Sequence, residues 1–435
     1  MKVEEKMKIR INKNTKNYLA VFLTLLYAIL TRTIFAKYLF HTQIQLFLFY
    51  SVTYLCLTIN FLRAFDKSGE HLYAPTGFFE ILMITIVVVY GLFVSNDISS
   101  FLYYGMAFLL PFSLFAEMKK SFRPIRFYVI FSLIAVAASF FNYLFPAIYN
   151  AIMPFFYTGY SLRSVQWLAK EGAFYPGLFS QVNYLAFFLG VAIGAVFNFR
   201  KIVFKNTWFI IEIFLMFGML LSGKRGAFVY VIIALLFMYF LDGKGQEKFF
   251  RILKIAVVVV LLYCVLMTVA NYTNIPSAVR IYDTVHALIF DRTADDTGRA
   301  QLQKKAIEYF LANPILGVGW RNFKNLFSLR STYVHCIYLQ LLCETGIVGT
   351  TVFIIFFVKS ALTCLNKYRL LGTEMTCERA WIGLALFIQV YFLLFGLTEN
   401  PIYDIEEMIV YMFAIGVANL PLLNNNIKWS KANEK

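Results

Sequence analysis

Residues 177–198 read Gly-Leu-Phe-Ser-Gln-Val-Asn-Tyr-Leu-Ala-Phe-Phe-Leu-Gly-Val-Ala-Ile-Gly-Ala-Val-Phe-Asn, an apolar run that is continuous rather than alternating. A helix that crosses the hydrocarbon needs about 20 mostly apolar residues. Only helices and closed barrels satisfy all their backbone groups in lipid, and barrel strands alternate apolar with polar residues. The run therefore predicts a membrane-spanning helix. Within it, Gly190 and Gly194 have the GxxxG spacing that favours close helix packing.

Similar runs recur along the chain. The 435 residues are 60% hydrophobic and only 15% charged, whereas soluble domains carry about 25% charged residues. We therefore predict an all-α polytopic membrane protein, a single transmembrane domain over residues 1–435 with about twelve transmembrane helices. The predicted spans are 18–38, 44–62, 78–95, 99–117, 127–148, 177–198, 207–222, 226–241, 254–270, 336–358, 380–398 and 405–423.

The basic residues predict the orientation. With the N-terminus inside, cytoplasmic segments hold 26 of the 40 Lys and Arg residues, and eight of the other 14 lie in one segment, 271–335. Short cytoplasmic loops carry the excess of Lys and Arg, whereas long loops count for little. Both termini are therefore expected in the cytoplasm. Two external segments are sizeable: 149–176, and the long loop 271–335 between spans nine and ten.

The first residues, the net charge and the cysteines argue in turn against a cleaved signal peptide, a nucleic-acid-binding protein and a zinc or disulfide framework. The first apolar run follows the basic residues 1–17 without a small-residue cleavage site, so we interpret it as a retained helix. The net charge is +16, and the Lys and Arg residues lie in short clusters between apolar runs. This distribution is typical of a membrane protein rather than of a nucleic-acid-binding groove. The six cysteines show no CxxC pair or metal-type spacing, so no zinc site or disulfide framework is predicted.

The long external loop contains one amphipathic pattern, Arg299–Ala312, which predicts a helix against the outer membrane surface or over a cavity. Its apolar face is formed by Leu302, Ala306, Tyr309 and Phe310. Asp296 or Thr297 is the expected cap at its start. Asn313-Pro314 is expected to end it, because the residue before proline avoids the α region.

The first candidate for chemistry is Leu221-Ser-Gly-Lys-Arg-Gly-Ala227, at the outer junction of spans seven and eight. Lys224 and Arg225 stand between glycines, which allow an anion to approach the backbone closely. Arg matches phosphate oxygens with two parallel donors, so the pair predicts an anion clamp. The alternative interpretation is a pair of cations that anchor the helices at the headgroup level.

Two further candidates flank the long loop. Arg299 in Thr297-Gly298-Arg299 opens the predicted loop helix, where the helix dipole disfavours a cation, and this indicates an anionic ligand. A solvated surface Arg is the alternative. His335 lies at the outer edge of span ten and is one of only four histidines. A histidine there can act as a general base, or it can be a packed interfacial side chain.

Polar groups at outer ends of spans are weaker candidates. Gln181 and Asn183 stand in the outer half of span six, where they can hydrogen-bond a sugar or a neighbouring helix. Glu344 and Glu399 lie at the outer ends of spans ten and eleven, and either one can face a cavity.

Taken together, these segments resemble the Wzy polymerase and O-antigen ligase superfamily, enzymes that join lipid-linked glycans on the outer side of the bacterial cytoplasmic membrane. The likeness covers roughly 175–350 and rests on the order of four stretches. They are Gly177–Asn183, Ser222–Ala227, Arg299 followed by Asn313-Pro-Ile-Leu-Gly-Val-Gly-Trp320, and His335-Cys-Ile-Tyr-Leu-Gln followed by Glu344-Thr-Gly-Ile-Val-Gly349. Two positions depart from the family pattern. Cys336 stands where Asn commonly follows the His, and Lys224 stands where Ser often precedes the Arg.

The resemblance implies a glycosyltransferase that uses polyprenyl-diphosphate sugars. It assigns His335 the role of general base, and it assigns Arg225 and Arg299, with Lys224, the stabilisation of the leaving diphosphate. Substrate binding is assigned to Lys224, Asn183, Gln181 and Arg321. No Asp-x-Asp metal site is found, and Asp295-Asp296 is interpreted as part of a solvated loop. A metal-independent enzyme with no cofactor is therefore expected.

The implied partners are a polyprenyl-diphosphate-linked donor and acceptor, the lipid bilayer and a chain-length regulator, with no nucleic acid. Polymerisation of repeat units into capsular, exo- or O-antigen polysaccharide is the first expectation, and ligase-like transfer to another acceptor is the alternative. A flippase or transporter is a different class. Duplicated twelve-helix carriers usually place their longest connection inside, between spans six and seven, and here that segment, about 199–206, is short.

Overall fold

The computed structural model describes residues 13–40, 42–64, 77–114, 116–243, 247–273, 275–286, 299–326, 332–372 and 374–422. These residues form helices and contain no β-strand. The N-terminal α-helices are α1 (Lys13–Leu30), α2 (Ala36–Leu39), α3 (Gln43–Ala64), α4 (Phe78–Val94), α5 (Phe101–Leu109), α6 (Arg123–Leu144), α7 (Pro146–Phe156), α8 (Gly159–Glu171) and α9 (Val182–Phe199). The others are α10 (Trp208–Leu221), α11 (Arg225–Leu241), α12 (Glu247–Thr273), α13 (Pro276–His286), α14 (Arg299–Ala312), α15 (Phe323–Leu326), α16 (Ile337–Leu370), α17 (Cys377–Phe395) and α18 (Ile405–Asn419).

The predicted all-α membrane class is confirmed. Among the described residues, five helices are long and apolar enough to cross a membrane: Gln43–Arg63, Arg123–Leu144, Val182–Phe204, Ile337–Leu370 and Cys377–Phe395. Shorter apolar helices cover Leu19–Leu30, Phe78–Val94, Ile98–Ser113, Trp208–Leu221 and Arg225–Leu241. Every one of the twelve predicted spans overlaps a helix. The number of helices that cross the bilayer stays a prediction.

Helix α9 forms the centre of the fold. Nearly all of its side chains are buried, and it packs against α6, α10, α11 and α17. The predicted close packing at the GxxxG spacing is confirmed, because a Cβ atom at Gly190 or Gly194 would meet the ring of Tyr391 or Phe387 on α17. The run that predicts the membrane class is therefore also the helix around which the others assemble.

The predicted loop helix is confirmed with its predicted boundaries, because α14 covers Arg299–Ala312. Leu302 and Ala306 are buried against a small cluster that includes Phe323 and Cys343. Helix α14 packs against α16. The proposed caps, Asp296 and Thr297, lie outside the described residues, as does the pair Asp295-Asp296.

The predicted orientation can be tested at two positions that lie outside the described residues. A reporter fused after Lys435 is expected to be cytoplasmic, and an epitope inserted at residue 295 is expected to react with an impermeant reagent added outside intact cells. Both expectations follow from the distribution of Lys and Arg. Protection of the epitope until the cells are opened would reverse the orientation and would place the candidate site on the cytoplasmic side.

Candidate functional site

Five separated stretches of the chain meet at the carboxylate of Glu399, which follows α17. Its Oε1 lies 2.9 Å from Lys224 Nζ and 3.5 Å from an Arg299 guanidinium nitrogen. Its Oε2 lies 3.1 Å from Asn183 Nδ2 and 3.3 Å from His335 Nδ1. We call these five residues the Glu399 cluster. Four of its members are predicted site residues, so the fold brings together the predicted base His335, two cations and one amide.

A tight turn between α10 and α11 presents Lys224. Gly223 has a φ of +67°, and a Cβ there would meet the carbonyl oxygen of Ala173. The left-handed region and the close approach both favour glycine. The Ser222 hydroxyl donates to Met219 O at 2.6 Å and accepts from the Lys224 N–H at 3.3 Å. The Ser-Gly-Lys sequence is thus a turn that directs Lys224 towards Glu399.

The Asn313–Trp320 stretch is docked on a break in α16. Gly346 interrupts this helix with a φ of +60°, and Cβ atoms at Gly317 or Gly346 would meet the opposing backbone. The Glu344 carboxylate accepts from the backbone N–H of Arg321 at 2.7 Å and of Phe323 at 3.0 Å. Glu344 therefore fixes the backbone that follows Trp320, and it is not part of the Glu399 cluster.

The same carboxylate sets the position of His335 through one side chain. Gln340 donates to Glu344 Oε1 at 2.8 Å and accepts from the backbone N–H of Val334, also at 2.8 Å. His335 follows with a φ of +56°, a conformation uncommon for a non-glycine residue. Because the surrounding hydrogen bonds fix this conformation, the imidazole is directed towards Glu399 rather than along α16.

The imidazole of His335 has a carboxylate on one side and a hydroxyl on the other. Nδ1 faces Glu399, and Nε2 lies 3.4 Å from Thr332 Oγ1. In the tautomer with a proton on Nδ1, His335 donates a hydrogen bond to the carboxylate. The Nε2 lone pair is then available to accept a proton. Cys336 stands where the family pattern has Asn, and the side chain that contacts Nδ1 of His335 is Glu399.

The charges of the site favour an anion. Burial alone would raise the pKa of the Glu399 carboxyl, but Lys224, His335 and Arg299 together hold that pKa well below its usual range. One carboxylate thus faces the cations of Lys224 and Arg299, and Arg225 stands beside Lys224 at the start of α11 with a half-buried side chain. Nearby, burial raises the pKa of Asp404 to about 6, against the opposing effect of Arg32.

The structure places two predicted substrate-binding residues in other surroundings. Gln181 donates to the hydroxyl of Tyr160 on α8 at 3.3 Å. Arg321 donates to Ser100 Oγ at 2.6 Å and lies 3.6 Å from Asp97 Oδ2. Their assignment to substrate stays a prediction, and the direct contacts with Glu399 belong to Asn183, Lys224, Arg299 and His335.

Arg321 is nevertheless connected to the Glu399 cluster through aromatic rings. Tyr333, two residues before His335, lies beside Arg321, and its ring centroid is 5.4 Å from that of Tyr403. Tyr403 follows Glu399 by four residues and stacks on Trp320 at 4.5 Å. The ring contacts therefore connect Arg321 with the chain segment that follows Glu399.

The sequence predicted that Glu399, at the outer end of span eleven, can face a cavity, but it did not predict that Glu399 contacts the candidate residues. The signal that could have placed it in the site is its position, because a carboxylate at a membrane boundary needs a cationic partner, and Lys224, Arg225 and Arg299 are among the cations predicted for the same side. Among the described residues, no group of three or more His, Cys, Asp or Glu side chains is arranged to hold a metal ion. Metal independence stays a prediction.

Residues 210–354 match a family model described as O-antigen ligase. This match confirms the resemblance to the Wzy polymerase and O-antigen ligase superfamily drawn from the sequence. The matched stretch contains Lys224, Arg225, Arg299, Arg321 and His335, whereas Asn183, Gln181 and Glu399 lie outside it. No curated protein matches the chain.

Proposed function

We propose that this membrane protein transfers a glycan from a polyprenyl-diphosphate donor to a hydroxyl group of a second lipid-linked repeat unit on the outer side of the bacterial cytoplasmic membrane. The match to the O-antigen ligase family supports glycosyl transfer in a membrane in general terms. The observation that carries the finer proposal is the convergence of Lys224, Arg299 and His335 on one buried carboxylate.

The reaction exchanges one C–O bond for another. The bond between the anomeric carbon and the diphosphate oxygen breaks, and the diphosphate leaves with the electron pair. The acceptor hydroxyl oxygen forms the new glycosidic bond while its proton passes to Nε2 of His335. Lys224, Arg225 and Arg299 stabilise the charge that develops on the diphosphate, in a site where burial strengthens electrostatic interactions.

Asn183, Gln181 and Arg321 are proposed to bind the sugars of donor and acceptor. Asn183 donates to the Glu399 carboxylate, so it stands next to the base. Arg321 lies beside the side chain of Tyr333, which precedes His335 by two residues. A chain-length regulator is proposed as a protein partner.

Ligase-like transfer to a different acceptor is the second candidate, because the matching family model is described as O-antigen ligase. The two functions separate on product analysis. Purified protein in proteoliposomes, supplied with lipid-linked repeat units as both donor and acceptor, is expected to yield a ladder of lengthened glycans and free polyprenyl diphosphate. Formation of product only after addition of a second kind of acceptor would identify a ligase. Movement of the lipid-linked unit across the bilayer without a new glycosidic bond would identify a flippase.

Transfer is expected to be independent of divalent metal ions. In the proposed mechanism the cations of Lys224, Arg225 and Arg299 stabilise the diphosphate, and arginine does so with two parallel donors. Purified protein assayed in excess EDTA should therefore keep its transfer rate within about twofold of the rate without EDTA. This change is smaller than the one expected from the loss of one charge-assisted hydrogen bond. Loss of turnover in EDTA that is restored by Mg²⁺ or Mn²⁺ would contradict the metal-free mechanism.

A further inference from the structure

Four side chains surround the Glu399 carboxylate, three within hydrogen-bond distance and Arg299 as an ion pair. Lys224 and Arg299 approach Oε1, and Asn183 and His335 approach Oε2. The carboxylate is nearly inaccessible, with 7% of the side chain exposed. A carboxylate can accept from all four neighbours at once, whereas an amide whose NH₂ group faced His335 and Asn183 would require the other tautomer of His335 and a flipped Asn183 side chain.

The two cations on Oε1 are held unequally. Lys224 is 2.9 Å away, and 20% of its side chain is exposed. Arg299 is 3.5 Å away, and 37% of its side chain is exposed. Arg299 also belongs to the external helix α14, whereas Lys224 lies in a tight turn between two apolar helices. Arg299 is therefore the partner that can leave Glu399 at lower cost.

We propose that Glu399 is a positioning residue that stands in for the donor diphosphate in the empty enzyme and orients the His335 imidazole in the loaded enzyme. This proposal rests on the function proposed above. In the empty enzyme, the carboxylate holds Lys224 and Arg299 near the place that the diphosphate takes. A bound diphosphate carries more negative charge than one carboxylate and fits the Arg299 donors in pairs, so Arg299 transfers to it.

The exchange connects donor binding to proton transfer. While Lys224 and Arg299 both contact the carboxylate, their positive charges weaken the negative electrostatic potential that Glu399 produces at His335. When Arg299 moves to the diphosphate, Glu399 keeps its contact with Nδ1, and it then stabilises more strongly the imidazolium that forms as Nε2 takes the acceptor proton. The base thus becomes fully effective only after a donor is in place.

The test compares Glu399→Gln with wild type, using the full-length protein in lipid nanodiscs and farnesyl diphosphate as the binding probe. Loss of the competing carboxylate should tighten probe binding by about five- to tenfold, the lower range of couplings between linked sites. The same variant should lower kcat for glycan transfer by about 10²- to 10⁴-fold, because the amide no longer fixes the imidazole tautomer. The KM for the donor should fall or stay unchanged.

Glu406→Gln is the matched control. Glu406 is a buried carboxylate on α18, the helix that follows α17. Its Oε1 lies 2.8 Å from Arg32 Nε. Its variant should keep both the probe affinity and kcat within a few-fold of wild type. A Glu399→Gln protein with weaker probe binding, or with a kcat close to that of Glu406→Gln, would show that Glu399 is a structural ion-pair residue.

Glu399→Asp keeps the proposal testable if the Gln variant does not insert. Aspartate retains the negative charge but is one methylene shorter. Probe affinity should therefore stay near the wild-type value, whereas kcat should fall because the contact with Nδ1 lengthens. An Asp variant with unchanged kcat would overturn the positioning role. Absence of glycan transfer by wild type would instead contradict the proposed function, while the probe measurement would still report on the exchange at Glu399.

Discussion

Replacement of His335 by alanine is expected to lower glycan transfer by about 10²- to 10⁴-fold, the usual contribution of a general base. The imidazole is held between Glu399 and Thr332, with Nε2 directed away from the carboxylate. His335 is the imidazole that the described ion pairs place against the Glu399 carboxylate, so its replacement removes the group proposed to accept the proton. Polymer should be nearly absent from cells, and release of polyprenyl diphosphate by purified protein should fall by the same factor.

The control for this variant follows from the backbone of His335. Its φ of +56° strains an alanine but is tolerated by asparagine. His335→Asn should insert at wild-type levels and lose turnover to the same extent, and His335→Gln should retain donor binding without turnover. Long-chain polysaccharide at wild-type levels from the His335→Ala strain would remove His335 from the mechanism and leave the cations as the catalytic groups.

Replacement of Arg299 by alanine is expected to lower transfer by about 10²- to 10³-fold, comparable to the loss of one donor to a developing oxyanion. Arg299 opens α14 and contacts Glu399, and its partly exposed guanidinium is proposed to reach a bound diphosphate. Arg299→Lys should recover little of the lost rate, because an ammonium group lacks the paired donors of arginine. The decisive measurement is single-turnover release of polyprenyl diphosphate.

Lys305→Ala provides the matched control for Arg299. Lys305 lies on the same helix and pairs only with Glu308 at 2.6 Å among the described ion pairs, on an exposed face. Its removal should leave transfer within a few-fold of wild type, since exposed ion pairs contribute little. Full activity of Arg299→Lys would instead identify Arg299 as an anchor of the loop helix, and the same comparison at Arg225 distinguishes a diphosphate ligand from a headgroup anchor.

Local patterns were enough for the apolar spans and for α14, but they did not predict α8, α13 or α15. The boundaries of α14 follow from its apolar spacing and from Asn313-Pro314, and close packing of α9 follows from Gly190 and Gly194, although the partner α17 does not. Both features depend on neighbours in the chain or on the absence of a side chain. Membrane partition adds a strong local rule, because each backbone group in lipid must be satisfied within its own helix.

The sequence by itself determined the class of the protein, its apolar helices and the residues capable of chemistry, because hydrophobicity and side-chain type act locally. It could not pair those residues. Asn183 and Glu399 are 216 residues apart, and Lys224 and Glu399 are 175 apart. Only the packing of α9, α11, α16 and α17 decides that one buried carboxylate meets Asn183, Lys224, Arg299 and His335 while Gln181 and Arg321 find other partners. The physical reason is that a buried charge is stabilised by whichever donors the tertiary fold brings within hydrogen-bond distance, at any separation in sequence.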